Sequence, residues 1–481
     1  MEKAIEHITI DYKNKGGILQ CSPHILKLIR EHFSVKNPVY MQQRFAARKY
    51  VITPSGAFQT GLWFDISNYI SSLTIPVKLT LTPEFQKYIK PSLNISKIEN
   101  IDGFEYYDYQ RKTIEEFIKN GRGIGLLATA AGKSLIFAGF CKTLIANNPN
   151  IRIVMIVPNV GLLNQLYKSF ITEYNVPQIT RWGDGYVPDI NKNIIIANSQ
   201  ILLSDIKTSL TLLEDFDIVL VDEVHTLGER KNKINKIIQN IHTPNKFGLT
   251  GTLPSNLLSA WNIIGKTGPV LIHETAKSII SKGTAADVCI KIIKCAHTKK
   301  PDDPDPSDTS PLARYLKEVE FVQSSEGRNN LIVKLANKIS SNVLILVDSI
   351  AYGTKLFELM NKLEGKEVYF IQGSVETEER ARIQALMEAQ SNIICIAMTK
   401  IFSTGISIKN LKYVVFTRIG KSNIQIAQSI GRSMRKHADK EISTIFDICD
   451  VLYYSAEHLL ERIKLYGEEK IKFEVKNIKL T

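Results

Sequence analysis

Two short stretches carry residues able to do chemistry. Ala128-Thr129-Ala130-Ala131-Gly132-Lys133-Ser134 joins an apolar run, Ile124 to Leu127, to a helical pattern. A phosphate cradle needs backbone N–H groups converging on a helix N-terminus, where the helix dipole favours an anion. Gly132 allows close approach of the backbone, Lys133 places a positive charge on the β- and γ-phosphates, and Ser134 offers a hydroxyl to Mg²⁺. Thr129, Ala130 and Ala131 supply the rest of the loop. In the pattern G-x-x-x-x-G-K-[ST] the first glycine would stand at 127, where this chain has Leu127.

The second stretch, Asp222-Glu223-Val224-His225, closes the apolar run Ile218 to Val221. Such a run emerges at the C-terminal end of a buried strand, where open α/β sheets place their ligand sites. Mg²⁺ takes one or two carboxylates together with phosphate oxygens and waters, which suits Asp222. Glu223 is then the base that orients or deprotonates the attacking water. A glycine–lysine–serine turn or a strand-end carboxylate pair is unremarkable alone. Together they describe hydrolysis of a nucleoside triphosphate, with ATP and Mg²⁺ as the expected cofactors.

The elements that must hold these residues follow from hydrophobic patterning. Between about 100 and 275, Ile124–Leu127, Ile151–Val157, Ile194–Ala197, Ile218–Val221 and Phe247–Thr250 read as buried strands with helical patterns between them. That alternation predicts a parallel sheet with helices on both faces. It returns with Val343–Val347, Glu367–Ile371, Ile393–Ala397, Tyr413–Thr417 and Ser443–Asp447. The fold class is α/β, with two tandem parallel-sheet domains, 96–278 and 279–481, after a small α+β domain over 1–95. Pro301-Asp302-Asp303-Pro304-Asp305-Pro306 can be neither helix nor inner strand, so it is a loop. Ala456–Gly467 has helical spacing and is expected to pack on the core.

In the first region a helix is expected over His24–Phe33, strands near Tyr50–Thr53 and Leu62–Ile66, and a helix over Pro83–Ile89. Arg30, Lys36, Arg44, Arg48 and Lys49 are interleaved with Phe33, Tyr40, Phe45 and Tyr50. Basic side chains among aromatics can grip nucleic acid; a solvated surface beside an ordinary core is the plainer alternative.

The 481 residues suffice for about three domains at roughly 150 residues each. With 44% hydrophobic and 23% charged residues, the balance excludes a disordered or membrane-embedded chain. The 61 Lys and Arg against 48 Asp and Glu leave a net charge of +13, which favours a polyanionic partner. Six scattered cysteines without a Cys-x-x-Cys pair read as free thiols in a reducing compartment. The charged stretch Met1 to Lys15 has no apolar signal core, and no run reaches the length of a membrane helix. A soluble, cytoplasmic protein with no membrane partner is expected.

The order of the motifs resembles the superfamily 2 DExH-box helicases. Tyr109-Gln110-Arg111 stands upstream of the phosphate loop like the adenine-reading motif. Val157-Pro158-Asn159 and Asn198-Ser199-Gln200 resemble strand-end motifs that touch the nucleic-acid backbone. Leu249-Thr250-Gly251-Thr252 is similar to the motif that links hydrolysis to movement. Val343 to Ser349 resembles the opening of the second motor domain, Phe402-Ser403-Thr404-Gly405-Ile406-Ser407 the motif between nucleotide and nucleic acid, and Gln428 to Arg435 the Q-x-x-G-R-x-x-R motif. Ala131-Gly132-Lys133-Ser134, the run Phe402 to Asn410 and Ile430-Gly431-Arg432 with Arg435-Lys436-His437 resemble the UvsW-type branch-migration helicases of phages. Ser407 stands where many relatives have aspartate, so no ribose or metal contact is assigned to it.

The resemblance implies two RecA-like domains with ATP between them. Tyr109, Gln110, Gly405 and Gln428 join the nucleotide site, and Arg432 and Arg435 reach its γ-phosphate as arginine fingers. Arginine's planar fork suits that charge. Pro158, Asn159, Ser199, Gln200, Ser349 and Thr404 would contact nucleic acid, with Arg44 and Arg48 from the first domain. His225, Thr250, Gly251 and Thr252 would couple the two ligands, His225 through Gln428. A histidine satisfied within the core, and a core Tyr109, are the plainer alternatives. The implied activity is ATP-driven remodelling of branched or forked DNA, independent of sequence: Holliday-junction migration, fork regression and R-loop unwinding. A phage-encoded monomer in the host cytoplasm, working beside recombination, repair or replication proteins, is the expected setting. A duplex translocase that separates no strands, an RNA helicase and a nucleotide-gated binding module remain open.

Overall fold

The structure is a computed structural model; it describes residues 5–13, 15–37, 47–89, 93–228, 234–283, 286–302, 310–373, 375–399, 401–402, 408, 411–417, 426, 429–431 and 442–480. They form two compact units, Met1–Leu127 with Gly132–Glu274, and Thr275–Thr481 with Ala128–Ala131.

The first unit opens with a mixed sheet. β1 (Glu6–Lys13) pairs antiparallel with β2 (Gly16–Gln20). A short antiparallel pair follows, β3 (Ser34–Lys36) with β4 (Arg48–Tyr50). β5 (Ala57–Phe58) and β6 (Val77–Leu81) complete the order β5-β2-β1-β6. The helix Pro23–His32 starts on Ser22, whose hydroxyl accepts from Ile25 N, with proline at its first turn. The strand expected over Leu62–Ile66 is instead a 3₁₀ turn, Thr60–Leu62, running into the helix Trp63–Ser71. Leu62, Ile66 and Ile70 are buried at a spacing of four, which is a helical face rather than a strand's alternation. The strand expected near Tyr50–Thr53 begins two residues earlier, as β4, and ends at Tyr50.

The motor sheet of this unit comprises β7 (Gly123–Leu127), β8 (Ile153–Val157), β9 (Ile179–Trp182), β10 (Ile194–Asn198), β11 (Ile218–Asp222), β12 (Lys246–Thr250) and β13 (Val270–Glu274). Their order is β13-β7-β12-β11-β8-β10-β9, and every pairing is parallel. All residues of β8, β10, β11 and β12 are buried, and β8, β10 and β11 read as near-continuous apolar runs rather than alternations. β7, β12 and β11 are neighbours, which sets three strand ends side by side.

Arg122, 2% exposed, fastens the first sheet's region to the motor sheet. Its Nε donates to Thr267 O at 2.7 Å, Nη1 to Thr60 Oγ1 at 3.0 Å and Nη2 to Lys266 O at 3.3 Å. Burial pushes the guanidinium down, yet three acceptors meet it. The rings of Phe33 and Trp261 pack across the same seam at 5.5 Å.

The second unit holds β14 (Asp287–Ala296), β15 (Val343–Val347), β16 (Glu367–Ile371), β17 (Ile393–Met398), β18 (Tyr413–Phe416), β19 (Ile442–Asp450) and β20 (Lys472–Lys479). This sheet too is parallel throughout, in the order β16-β17-β15-β18-β19-β14-β20. The two sheets give the tandem RecA-like architecture. The C-terminal helix spans Tyr453–Glu468 and buries Leu459, Arg462, Leu465 and Tyr466, as its spacing predicts. Arg462 pairs with Asp447 at 2.9 Å, and Arg328, fully buried, holds both oxygens of Asp450 at 2.8 and 3.0 Å. Cys141, Cys295, Cys395 and Cys449 are buried free thiols. Among the described residues no helix is long and apolar enough to cross a membrane.

Candidate nucleotide and nucleic-acid site

The phosphate loop leaves β7 at Leu127 and enters the helix Lys133–Asn147 at Gly132. Gly132 has φ +75°, the left-handed region that glycine adopts without a Cβ clash. A Cβ here would stand 2.5 Å from Gln110 Nε2, so the Gln110 amide lies against the loop. Gln110 is 2% exposed, and its Oε1 accepts from Tyr107 N at 3.0 Å, which fixes the amide's orientation. Tyr109 is buried and stacks on Tyr107 with ring centroids 6.0 Å apart. Ala130 also takes a positive φ, +77°, a conformation costly for alanine. Among the described residues no side chain caps the helix start, which leaves its first N–H groups open to an anion.

Lys133 Nζ lies 3.3 Å from Glu223 Oε1. Glu223 reaches it because its backbone turns sharply after β11, with φ +51°. Its N–H donates to Asp222 Oδ1 at 3.1 Å. Burial, then the adjacent Glu223 carboxylate, pushes Asp222 up to about 7. Burial also acts to raise Glu223, but Lys133 and His225 outweigh it and hold that carboxylate below the usual range. So in the empty pair the negative charge rests on Glu223.

His225 and Thr250 close the group. His225 Nδ1 stands 2.8 Å from Thr250 Oγ1 and 3.2 Å from Glu223 Oε2, and Thr250 Oγ1 stands 3.3 Å from the same carboxylate oxygen. Thr250 Oγ1 also lies 3.1 Å from the Thr252 carbonyl. A proton on Nδ1 satisfies both acceptors and leaves the threonine proton for Thr252 O. Gly251 joins the two threonines. The structure thus brings together Lys133, Asp222, Glu223, His225 and Thr250 from three adjoining strand ends.

One residue essential to this packing carried no signal as a motif. Gly248 of β12 lies under Val224, and a Cβ there would stand 2.6 Å from Val224 Cβ. The missing side chain lets the Asp-Glu-Val-His turn seat on the sheet.

The expected nucleic-acid residues form a second group at neighbouring strand ends. Ser199 Oγ donates to Pro158 O at 3.1 Å, joining the two motifs. Asn159 caps the helix Val160–Thr172 by accepting from Leu162 N. Gln200 is exposed in the next helix, Ser199–Ser204. Beside them, after β9, a turn bridges Gly183 and Tyr186. A Cβ on Gly183 would lie 3.1 Å from Asn198 Nδ2. Tyr186, 51% exposed, stacks on the Arg181 guanidinium at 3.4 Å. Sequence reasoning missed this pair because edge strand β9 has no continuous apolar run.

Ser349, in the second unit, caps the helix Ile350–Met360 by accepting from Tyr352 N. Arg48 is anchored within the first sheet's region, with Nε donating to Ser34 Oγ at 2.7 Å. Arg30 lies over the Tyr50 ring at 4.5 Å. Arg44, Thr404, Gly405, Gln428, Arg432 and Arg435 lie outside the described residues, as do Tyr40, Phe45 and the stretch 303–309.

The residues present fit ATP: an open helix start, a glycine whose Cβ would obstruct the loop, and a lysine at its head. Among the described residues no group of three or more His, Cys, Asp or Glu forms a metal cage. Mg²⁺ on phosphates asks only for Ser134 and one carboxylate.

Residues 103–255 match the family described as the res subunit of type III restriction enzymes, and residues 327–437 the helicase conserved C-terminal domain. The chain is 30% identical over 416 residues to the ATP-dependent DNA helicase uvsW of Enterobacteria phage T4, covering 80% of both chains. Among solved structures, the type ISP restriction-modification enzyme LlaBIII bound to DNA aligns with a TM-score of 0.57 and 13% identity, over 87% of this chain and 34% of that one. Saccharomyces cerevisiae Dbp5, bound to RNA and ADP BeF3, aligns with a TM-score of 0.53 and 14% identity, over 77% of this chain and 89% of that one. At such identities the likeness to solved structures speaks for the fold alone.

Proposed function

The chain belongs to the UvsW family of superfamily 2 helicases, and from that premise, an ATP-hydrolysing nucleic-acid helicase, we propose that its substrate is branched or forked DNA. The observation that carries the mechanism is the joined group Lys133–Glu223–His225–Thr250 at the strand ends.

In this reading Lys133 holds the β- and γ-phosphates, and Gln110, fixed by Tyr107 N, reads the adenine. Mg²⁺, held by Ser134 and Asp222, would offset the phosphate charge. Glu223 is released from Lys133 as phosphate takes its place, and orients the attacking water. His225 and Thr250 sense that change, because both touch the Glu223 carboxylate, and pass it to Gly251 and Thr252. Arg432, Arg435, Gly405 and Gln428 complete the site by their places in the motif series.

Nucleic acid is held through its backbone at Pro158, Asn159, Ser199, Gln200, Ser349 and Thr404, with Tyr186 and Arg181 as a stacking pair and Arg44 and Arg48 as further contacts. Binding is structure-selective, independent of sequence and sensitive to salt. The first domain, 1–95, selects branched substrates, and 96–278 and 279–481 are the two motor domains. The relative's description as a DNA helicase and the net charge of +13 support DNA as the substrate. A monomer acting in phage recombination, repair or replication, in the host cytoplasm, is the setting we propose.

The test is steady-state ATPase activity without nucleic acid and with single-stranded DNA, linear duplex, a Holliday junction or structured RNA, with Lys133→Ala as control. Stimulation strongest with the junction and lost in Lys133→Ala supports the proposal. Equal stimulation by linear duplex points to a translocase, and stimulation by RNA alone overturns the DNA assignment.

A further inference from the structure

A cavity lies within the first unit, away from the hydrolysis site. It has a volume of about 450 Å³ and sits in the seam between the N-terminal mixed sheet and the motor sheet. That volume falls in the range of small-molecule sites, roughly 300–1,000 Å³. Its position is set by Lys246, the first residue of β12, whereas Thr250 ends that strand at the hydrolysis site. Four rises of about 3.3 Å put the two sites some 13 Å apart, at opposite ends of the strand.

The charge of the cavity is one-sided. Lys13, Lys15, Lys246 and Lys266 line it, and no aspartate or glutamate does among the described residues. Lys246 is the deepest, 4% exposed, and among the described residues its ammonium donates to the Ile238 carbonyl. Three ammonium protons with one carbonyl acceptor leave hydrogen-bonding capacity directed at the cavity. Lys15 and Lys13 are exposed at the mouth, and Lys15 Nζ reaches Asn240 Oδ1 at 2.8 Å. Gln59 Oε1, also on the lining residues, is buried with no hydrogen-bond partner among the described residues. Lys13, Lys15 and Lys246 repel one another, and a desolvated lysine beside other cations is costly. Burial, then Arg122 and Lys15, accordingly pushes Lys246 down to about 7. A multiply charged anion removes both penalties.

We infer that this seam is a binding site for a small polyphosphate, of the class of a nucleoside di- or triphosphate, separate from the site of hydrolysis. Lysine binds phosphate as a point charge, and several lysines suit a chain of phosphates. The unpartnered Gln59 oxygen accepts a donor from the rest of the ligand. Because the occupant touches both the N-terminal region and the motor sheet, it tightens the seam that Arg122 fastens. A duplex, about 20 Å across, does not enter a cavity of this size.

The test uses the full chain carrying Lys133→Ala, which silences the phosphate loop, with inorganic tripolyphosphate as the probe. Calorimetric titration is expected to give one site, with a rise in Tm. Lys13→Glu with Lys15→Glu, two exposed positions, is expected to weaken that binding at least tenfold, and Lys246→Met to do the same. In a chain with Lys133 intact, the Lys13→Glu/Lys15→Glu pair leaves ATP hydrolysis without nucleic acid unchanged. No binding to the Lys133→Ala chain overturns the inference. So does binding that the Lys13/Lys15 charge reversal leaves untouched. A short single-stranded oligonucleotide that binds the seam while ADP and tripolyphosphate do not also overturns it.

Discussion

His225 Nδ1 lies 2.8 Å from Thr250 Oγ1, and both touch one oxygen of Glu223. The strand-end carboxylate is thereby joined to the Leu-Thr-Gly-Thr turn through two side chains. Thr250→Val keeps the shape and removes the hydroxyl. We expect nucleic-acid-stimulated ATPase to fall about tenfold, a change near 1.4 kcal/mol, with ATP binding nearly unchanged. Equal loss of basal and stimulated rates would show that the hydroxyl serves hydrolysis, not coupling.

Gly248 gives a test of packing beneath the site. Gly248→Ala places a methyl group 2.6 Å from Val224 Cβ. Such overpacking costs about 1–3 kcal/mol, and here it displaces the turn that carries Glu223. Tm and kcat should both fall. Adding Val224→Ala should restore part of each, whereas an additive double variant would place the effect elsewhere.

Arg122 is expected to decide whether the N-terminal region stays fastened to the motor sheet. Arg122→Met leaves the Thr267 and Lys266 carbonyls and the Thr60 hydroxyl without their buried donor. A loss of about 1–3 kcal/mol follows from the acceptors left unsatisfied. Hydrogen exchange should rise first along Thr60–Leu62 and Lys266; protection unchanged there would contradict the assignment.

Lys246 makes stability depend on pH. Burial, Arg122 and Lys15 hold it at about 7 in the folded chain against an ordinary 10.5. Between those values unfolding takes up a proton, so stability rises with pH, by at most about 1.4 kcal/mol per unit from this group. Below pH 7 its contribution is flat. Urea midpoints at pH 6.5, 7.5 and 8.5 should climb, and Lys246→Met should flatten the climb.

Tyr186 stands half exposed on Arg181. Tyr186→Ala should weaken binding of single-stranded DNA by about 1–3 kcal/mol, the worth of one stacked base, at constant salt. Unchanged affinity would remove it from the nucleic-acid surface.

How much was legible in the chain follows from how far apart the interacting residues lie. The phosphate loop and the Asp-Glu-Val-His turn are contiguous, and their geometry depends on a few successive backbone angles, so residue types announce them. Central strands such as β8 and β11 are buried on both faces and show as unbroken apolar runs. Leu62–Ile66 was misread because a short apolar run fits strand and helix alike until packing picks a face. The edge strands β9 and β20 alternate or expose their residues and gave no such run.

The sequence by itself thus determined the fold class, the two tandem parallel sheets and the loop and strand-end turn that the fold sets side by side. Tertiary structure alone decided that Glu223 turns back onto Lys133, that His225 and Thr250 share its oxygen, and that Gly248 makes room for Val224. It also decided that Arg122 meets Thr60 and Thr267, and that Lys13, Lys15 and Lys246 gather around one cavity. Those relations join residues tens to hundreds of positions apart. Burial and charge there are set by strand order and close packing, which no local pattern of residues encodes.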